Sequence, residues 1–203
     1  MTKLVLPYPW SQGEHMCVIG DTGSGKTTLM YGLDGEPGLL AFRKYAVALR
    51  SKGDDAKWIT AKRVNLALPA MKDPDLLHIE LFPKRGSEAR EFKVALETAY
   101  RQKNTALYLD ELYHADKLLK LRPIIDDLLT RGRSLGLTVI TGLQRPVGVS
   151  RFAISQSKHV IAFAQAARRD PSARRQYGVI GSDGQPVPAS RFQRYDGTRV
   201  DGF

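Results

Sequence analysis

Short, fully apolar runs recur along the first 163 residues, separated by amphipathic or Gly/Pro-punctuated stretches. Residues 14–20 (EHMCVIG) predict a buried strand, followed by a Gly-rich loop and a helix that starts near Lys26. Gly35, Pro37 and Gly38 interrupt the chain after it. Leu39 to Phe42 predicts a second buried strand. Residues 43–75 are mixed, with a short strand at Trp58-Ile59 and breakers at Pro69 and Pro74. Leu76 to Phe82 predicts a strand ended by Pro83. Ser87 stands as the N-cap of an amphipathic helix reaching about Gln102. Thr105 to Leu109 predicts a strand running into Asp110-Glu111, and residues 115–135 a helix kinked or broken at Pro123. Leu137 to Ile140 predicts a strand continuing to Gln144, residues 150–157 a short helix, and His159 to Phe163 a last core strand.

Strands that alternate with helices imply an α/β fold with a largely parallel sheet. Strands that are apolar throughout agree, because a parallel strand is covered on both faces. The pattern changes after residue 167. Residues 168–177 are Arg-rich, and residues 181–203 are rich in Gly, Pro and Asp with few aliphatics, which predicts a hairpin or extended arm. The expected division is a core over 1–167 and a basic C-terminal extension over 168–203 packing on it. There is no internal repeat.

Composition narrows the class. A chain of 203 residues fits one domain with a small appendage, long enough to bury a core without disulfides. Hydrophobic residues at 42% and charged residues at 26% exclude disordered and fibrous classes. The single cysteine, Cys17, excludes an intrachain disulfide, and the four histidines match no zinc spacing. No apolar run approaches the ~18 residues a membrane helix needs. The N-terminal apolar run is too short for a signal-peptide core. A reducing, intracellular setting is expected.

Charge adds a partner. Lys and Arg number 31 against 21 Asp and Glu, a net of +10. From Arg131 to the end there are 12 Lys/Arg against 4 Asp, a net of +8. A basic final third points to a polyanion, most simply nucleic acid, with a merely solvated basic surface as the alternative.

Gly20-Asp21-Thr22-Gly23-Ser24-Gly25-Lys26-Thr27 fits G-x-x-x-x-G-K-[ST] at every position. The glycines let the backbone curl so that its N–H groups hold phosphate oxygens. The following helix, with Thr28 in its first turn, points its positive end at the same place. Lys26 supplies a point charge for the β- and γ-phosphates of ATP, and Thr27 a hydroxyl for Mg²⁺. The strand before and the helix after meet the context that this motif requires.

Asp110-Glu111 ends the next strongly apolar strand. Asp110 suits Mg²⁺, and Glu111 suits the base that orients and deprotonates an attacking water. A GTPase is disfavoured: [NT]-K-x-D is absent, and Ser51-Lys52-Gly53-Asp54 has the wrong first residue.

With Gly132-Arg133 through Gly136 and Leu143-Gln144-Arg145-Pro146 added, the chain resembles the FtsK–HerA superfamily of DNA-pumping ATPases over about residues 14–165. Leu143 stands where Thr or Ser is usual, and Leu137-Thr138 where a second Gly is often found. The resemblance implies a P-loop NTPase fold of the RecA-like, additional-strand type. It implies that Gln144 is a polar sensor at the end of the strand between the loop strand and the acidic strand. It also implies that Arg133 is the finger reaching a neighbouring subunit's ATP, with Arg131 and Arg145 as rivals. A planar, always-charged guanidinium suits that task.

A finger acting on a neighbour requires a ring, and the family implies a homohexamer around double-stranded DNA. Arg168, Arg169, Arg174, Arg175, Arg191 and Arg194 would then track its phosphates, with Tyr177, Phe192 and Tyr195 among them. A bare motor core of this length resembles the genome-packaging ATPases of icosahedral viruses with an internal membrane. That implies a protein of the host cytoplasm, also associated with the virion and its capsid vertex or membrane proteins. Two alternatives are a small nucleoside or nucleotide kinase with an Arg-rich lid, and an ATPase that drives protein secretion or assembly.

Overall fold

A computed structural model describes residues 10–33, 36–51, 58–145, 148–163, 192–195 and 200–202. In chain order the first elements are β1 (His15–Ile19), α1 (Lys26–Tyr31) and a two-strand ribbon of β2 (Gly32–Leu33) and β3 (Glu36–Pro37). Then come a 3-10 turn (Leu39–Phe42), β4 (Ala46–Leu49), β5 (Lys62–Val64), α2 (Ala67–Lys72), β6 (His78–Leu81) and α3 (Glu88–Gln102). After β7 (Ala106–Leu109) there follow a π-helical turn (His114–Leu118), α4 (Arg122–Arg131), a 3-10 turn (Gly132–Leu135) and β8 (Thr138–Leu143). The last elements are α5 (Phe152–Ser155), β9 (Ser157–Ala162), β10 (Phe192–Tyr195) and β11 (Val200–Gly202).

The main sheet has the order β11-β10-β9-β1-β8-β7-β4-β6-β5. Every neighbouring pair from β10 to β5 is parallel, and only β11 runs antiparallel, against β10. Strand β8 therefore lies between β1 and β7, the additional-strand order that the family resemblance implies. Strands β10 and β11 form the far edge of the sheet.

The four inner strands are buried at every position. Their side chains alternate between two cores, as the two-residue repeat of a strand requires. Cys17, Ile19, Val47, Leu49, Leu107, Leu109 and Val139 face α2, α3, α4 and α5. Met16, Val18, Ala46, Ala48, Ala106, Tyr108 and Ile140 face α1, Trp10 and Trp58. Full burial of each large aliphatic or aromatic side chain contributes about 1.5–3 kcal/mol. In α3 the buried set Phe92, Ala95, Leu96 and Ala99 follows the helical repeat and lies on the first of these cores. Buried Glu91 accepts from the Ala67 N–H at 2.9 Å, satisfying one of the unpaired donors at the start of α2.

Several local expectations are corrected. Leu39–Phe42 is a 3-10 turn, and the inner strand is Ala46–Leu49, inside the stretch that reads as mixed. The cause is Gly38, whose missing Cβ lets the chain lie against the Met30 carbonyl and the Gly32 N–H, so Leu39 and Leu40 plug the end of α1 instead of entering the sheet. Trp58-Ile59 is no strand. Trp58 is buried in a stack between Tyr31 and His78, Ile59 is exposed, and the edge strand is Lys62–Val64. Pro69 lies in the first turn of α2 and does not break it, because that turn needs no N–H from it. Pro123 likewise sits at the second position of α4 and begins a helix, so residues 115–135 form three pieces. Ser87 occupies the N-cap position of α3 without capping it, since its hydroxyl donates to the Lys84 carbonyl.

Candidate active site

The phosphate loop leaves the end of β1 and closes on the first turn of α1. Gly23 and Gly25 have φ of +77° and +96°, left-handed conformations that a side chain would strain. A Cβ on Gly20 would run into Ser24 Oγ and the Phe163 ring. Lys26 Nζ donates to the carbonyls of Gly20 at 2.6 Å and Asp21 at 2.9 Å, which holds the ammonium across the mouth of the loop. Ser24 Oγ is buried with no hydrogen-bond partner among the described residues, a donor left for an anion. Thr27 and Thr28 occupy the second and third positions of α1. This cradle fits a nucleoside triphosphate: a curled backbone, a cation and an orphaned hydroxyl converge at one strand end.

Asp110 and Glu111 follow β7 at the same edge of the sheet. Gln144 follows β8, between them and the loop. Its side-chain Nε2 donates to Glu111 Oε2 at 2.7 Å. The preceding residue, Leu143, accepts from the Gly20 N–H at 2.9 Å. Thus the end of β8 touches the loop through its backbone and the acidic pair through a side chain. Gly142 permits this, because a Cβ there would collide with the Asp110 carbonyl. Glu111, Gln144, Arg145, Tyr113, His114 and Ser51 line a cleft of about 420 Å³. Thr27 and Asp110 are the hard oxygen donors suited to Mg²⁺, which usually takes only one or two protein ligands beside phosphate oxygens and water.

Arg50, Glu80, Arg63 and Tyr108, which no sequence motif marks, form a connected group around Asp110. Arg50 follows β4, and Leu49 pairs with Leu109, so Arg50 and Asp110 leave neighbouring strands side by side. The Arg50 side chain is 1% exposed. Its Nε lies 3.7 Å from Asp110 Oδ2, and its Nη1 lies 3.3 Å from Glu80 Oε1. Arg63 pairs with the other oxygen of Glu80 at 2.9 Å. Tyr108 donates to Asp110 Oδ1 at 3.0 Å. Burial and then the Asp110 charge push the Tyr108 hydroxyl well above its ordinary range, so it stays a neutral donor. Burial opposes the Arg50 charge, but Tyr31, Asp110 and Glu80 outweigh it. The available signal was an apolar run, AVAL, ending in Arg50 just as ALYL ends in Asp110.

Arg133 lies apart from this site. It is exposed in the turn before β8, and its backbone carbonyl packs against Gly13, just before β1. The length of β8, about 20 Å at ~3.3 Å per residue, separates that edge from its own loop. Arg131 is exposed and pairs with Asp127 at 3.0 Å. Arg145 is exposed at the rim of the cleft. Arg168, Arg169, Arg174, Arg175, Tyr177 and Arg191 lie outside the described residues. Arg194 falls in β10, as do Phe192 and Tyr195; only their backbone is described.

No family model and no curated protein matches this chain. Solved structures do. The genome packaging NTPase B204 from Sulfolobus turreted icosahedral virus 2, in complex with sulfate, superimposes with a TM-score of 0.62 at 17% identity. That match covers 86% of this chain and 84% of that one. The AMP complex of the same protein gives a TM-score of 0.60 at 16% identity over 81% of each chain. ATPases 2 and 3 of EssC from Geobacillus thermodenitrificans give 0.52 at 16% identity, over 90% of this chain and 37% of theirs. The chain thus has the P-loop NTPase fold of these ATPases.

Proposed function

We propose that this chain is the subunit of an ATP-driven motor that pulls double-stranded DNA through a ring of its own copies, as the packaging ATPase of an icosahedral virus does. The observation that carries the reading is the Gln144–Glu111 hydrogen bond at the strand end that also holds Gly20. It joins the triphosphate cradle, the acidic pair and a polar sensor in one connected unit. A small kinase needs neither a Glu directly beside the metal-holding Asp nor a Gln at the next strand end. The DNA part is supported by the +8 charge after residue 130 and by likeness to genome packaging NTPases of similar length.

In this reading the loop N–H groups, Ser24 and Lys26 bind the phosphates of ATP and hold its γ-phosphoryl group in line for attack. Thr27 and Asp110 hold Mg²⁺, which when bound neutralises charge on the phosphate oxygens. Glu111 takes the proton of the attacking water, and Gln144 keeps its carboxylate aimed. Because Leu143 is bonded to Gly20, a change at the phosphates pulls on β8 and on the chain that follows it. Arg133, on the opposite edge from its own loop, serves the site of a neighbouring copy, which makes a ring (a hexamer in the reading adopted) a condition of turnover.

The test is ATP turnover at several protein concentrations, with and without long duplex DNA. Turnover that rises more than linearly with protein and further with DNA is expected. Turnover that ignores DNA would overturn the DNA-pulling part of this reading. Phosphate transfer to nucleosides would assign the chain to the kinases.

A further inference from the structure

The cluster around Asp110 contains more than a metal-binding carboxylate requires. Tyr108, on its own strand, donates to Oδ1, and Arg50, on the next strand, lies against Oδ2. Arg50 is in turn held: its backbone N–H donates to the Leu81 carbonyl at 3.0 Å, and its side chain lies against Glu80 and 5.3 Å from the centre of the Tyr31 ring. Glu80 is itself fixed by Arg63. A buried guanidinium with two carboxylates around it is costly to desolvate and contributes little net stability compared with apolar packing. A fold that needed only a core here would be served as well by Leu or Met. The arrangement does fix a carboxylate at the strand end where a cation is to be held.

We propose that Arg50 is a positioning residue for the Mg²⁺ site: clamped by Glu80, it holds the Asp110 carboxylate in the orientation that receives the metal of a bound nucleotide. This rests on the nucleotide reading above. In this scheme Arg50 acts through Asp110. The phosphate loop binds nucleotide without it, so its loss is felt only when Mg²⁺ is present. Removing a group that orients a metal ligand typically costs about 10–100-fold in metal affinity.

The experiment uses the full chain and a fluorescent ATP analogue, titrated in EDTA and again over a range of Mg²⁺ concentrations. In Arg50→Lys, which keeps the charge but loses the fork, affinity in EDTA stays within about twofold of wild type, while the Mg²⁺ midpoint rises about 10–100-fold. Asp110→Asn raises that midpoint too, and Arg50→Lys added to it produces no further change, because both act through one group. Glu80→Gln, which leaves Arg50 in place but loosens its clamp, raises the midpoint in the same direction and covers the case in which Arg50→Lys fails to fold. An unchanged midpoint in a folded Arg50→Lys or Glu80→Gln, or additive effects in the double variant, overturns the proposal. If wild type binds the analogue without any response to Mg²⁺, the ATPase reading falls, and this proposal with it.

Discussion

The side-chain amide of Gln144 donates to the Glu111 carboxylate at 2.7 Å, across two strand ends that are 33 residues apart in sequence. Glu111 is thereby oriented by a residue one step beyond the carbonyl that anchors the phosphate loop. Removing the carboxylate and removing the amide should therefore have separable effects. Glu111→Gln should bind nucleotide like wild type and hydrolyse it about 10²–10⁴-fold more slowly, the usual contribution of a positioned base. Gln144→Ala should lose about 10–100-fold, the rate equivalent of a hydrogen bond to a charged group worth about 1.5–3 kcal/mol. Single-turnover rates with saturating ATP would measure both. Equal turnover in Glu111→Gln and wild type would remove its role as base.

Arg133 and Lys26 lie on opposite edges of one sheet and should act in different subunits. Lys26→Ala should abolish nucleotide binding. Arg133→Ala should bind nucleotide and fail to turn it over. Mixing the two variants should restore part of the activity, since one subunit contributes the pocket and the other the guanidinium. Mixtures as inactive as their components would count against a finger acting between subunits, and the same assay with Arg131→Ala and Arg145→Ala compares the rivals.

Gly142 lies against the backbone of Asp110, where a Cβ meets the Asp110 carbonyl and comes within 3.2 Å of that of Leu109. Backbone cannot swing aside as a side chain tip can. Gly142→Ala should cost about 1–3 kcal/mol, the range for overpacking a well-filled core. Urea denaturation measures it. Wild-type stability in this variant would show that β7 and β8 can separate to admit a methyl group between Gly142 and Asp110.

Acid should destabilise the protein through two buried groups at the opposite edge. Burial, with the Arg133 charge nearby, lowers His15 to about 4 from 6.5, against the Leu129 carbonyl, which raises it. The unfolded chain therefore takes up a proton that the native chain refuses, and stability falls as pH drops from about 6.5 to 4. Glu14 is lowered to about 2 from 4.5: burial opposes the shift, but hydrogen bonds from His159, Lys158 and the Ser11 N–H outweigh it. Its contribution is present above 4.5 and is lost as pH falls toward 2. Denaturation midpoints across pH should flatten in the upper window for His15→Gln and in the lower window for Glu14→Gln. An upper-window slope that survives in His15→Gln would assign it to another group.

Duplex binding should be governed by counterion release. For each phosphate neutralised, affinity should fall about 0.9 of a decade per decade of salt. Substituting Arg168, Arg169, Arg174 and Arg175 by Ala should reduce that slope without changing sequence preference. A slope identical to wild type would place the DNA contacts elsewhere on the chain.

The phosphate loop, Asp110-Glu111 and Gln144 were all legible in the linear sequence. The loop and the acidic pair are contiguous runs that each follow an apolar strand, so the local pattern alone expects both at strand ends, whereas Gln144 was marked by the family resemblance of the Leu143-Gln144-Arg145-Pro146 run. Which apolar run became the inner strand was not legible. LLAF and AVAL are equivalent as patterns, and in the fold the first forms a 3-10 turn where Gly38 packs against the end of α1. Pro123 was equally ambiguous, since the same ring that breaks a helix interior begins one at its first turn. Arg50 was invisible for a deeper reason. Its meeting with Asp110 depends on β4 pairing with β7 across 60 residues, and strand order is set by how helices pack on both faces of the sheet, which no local pattern encodes.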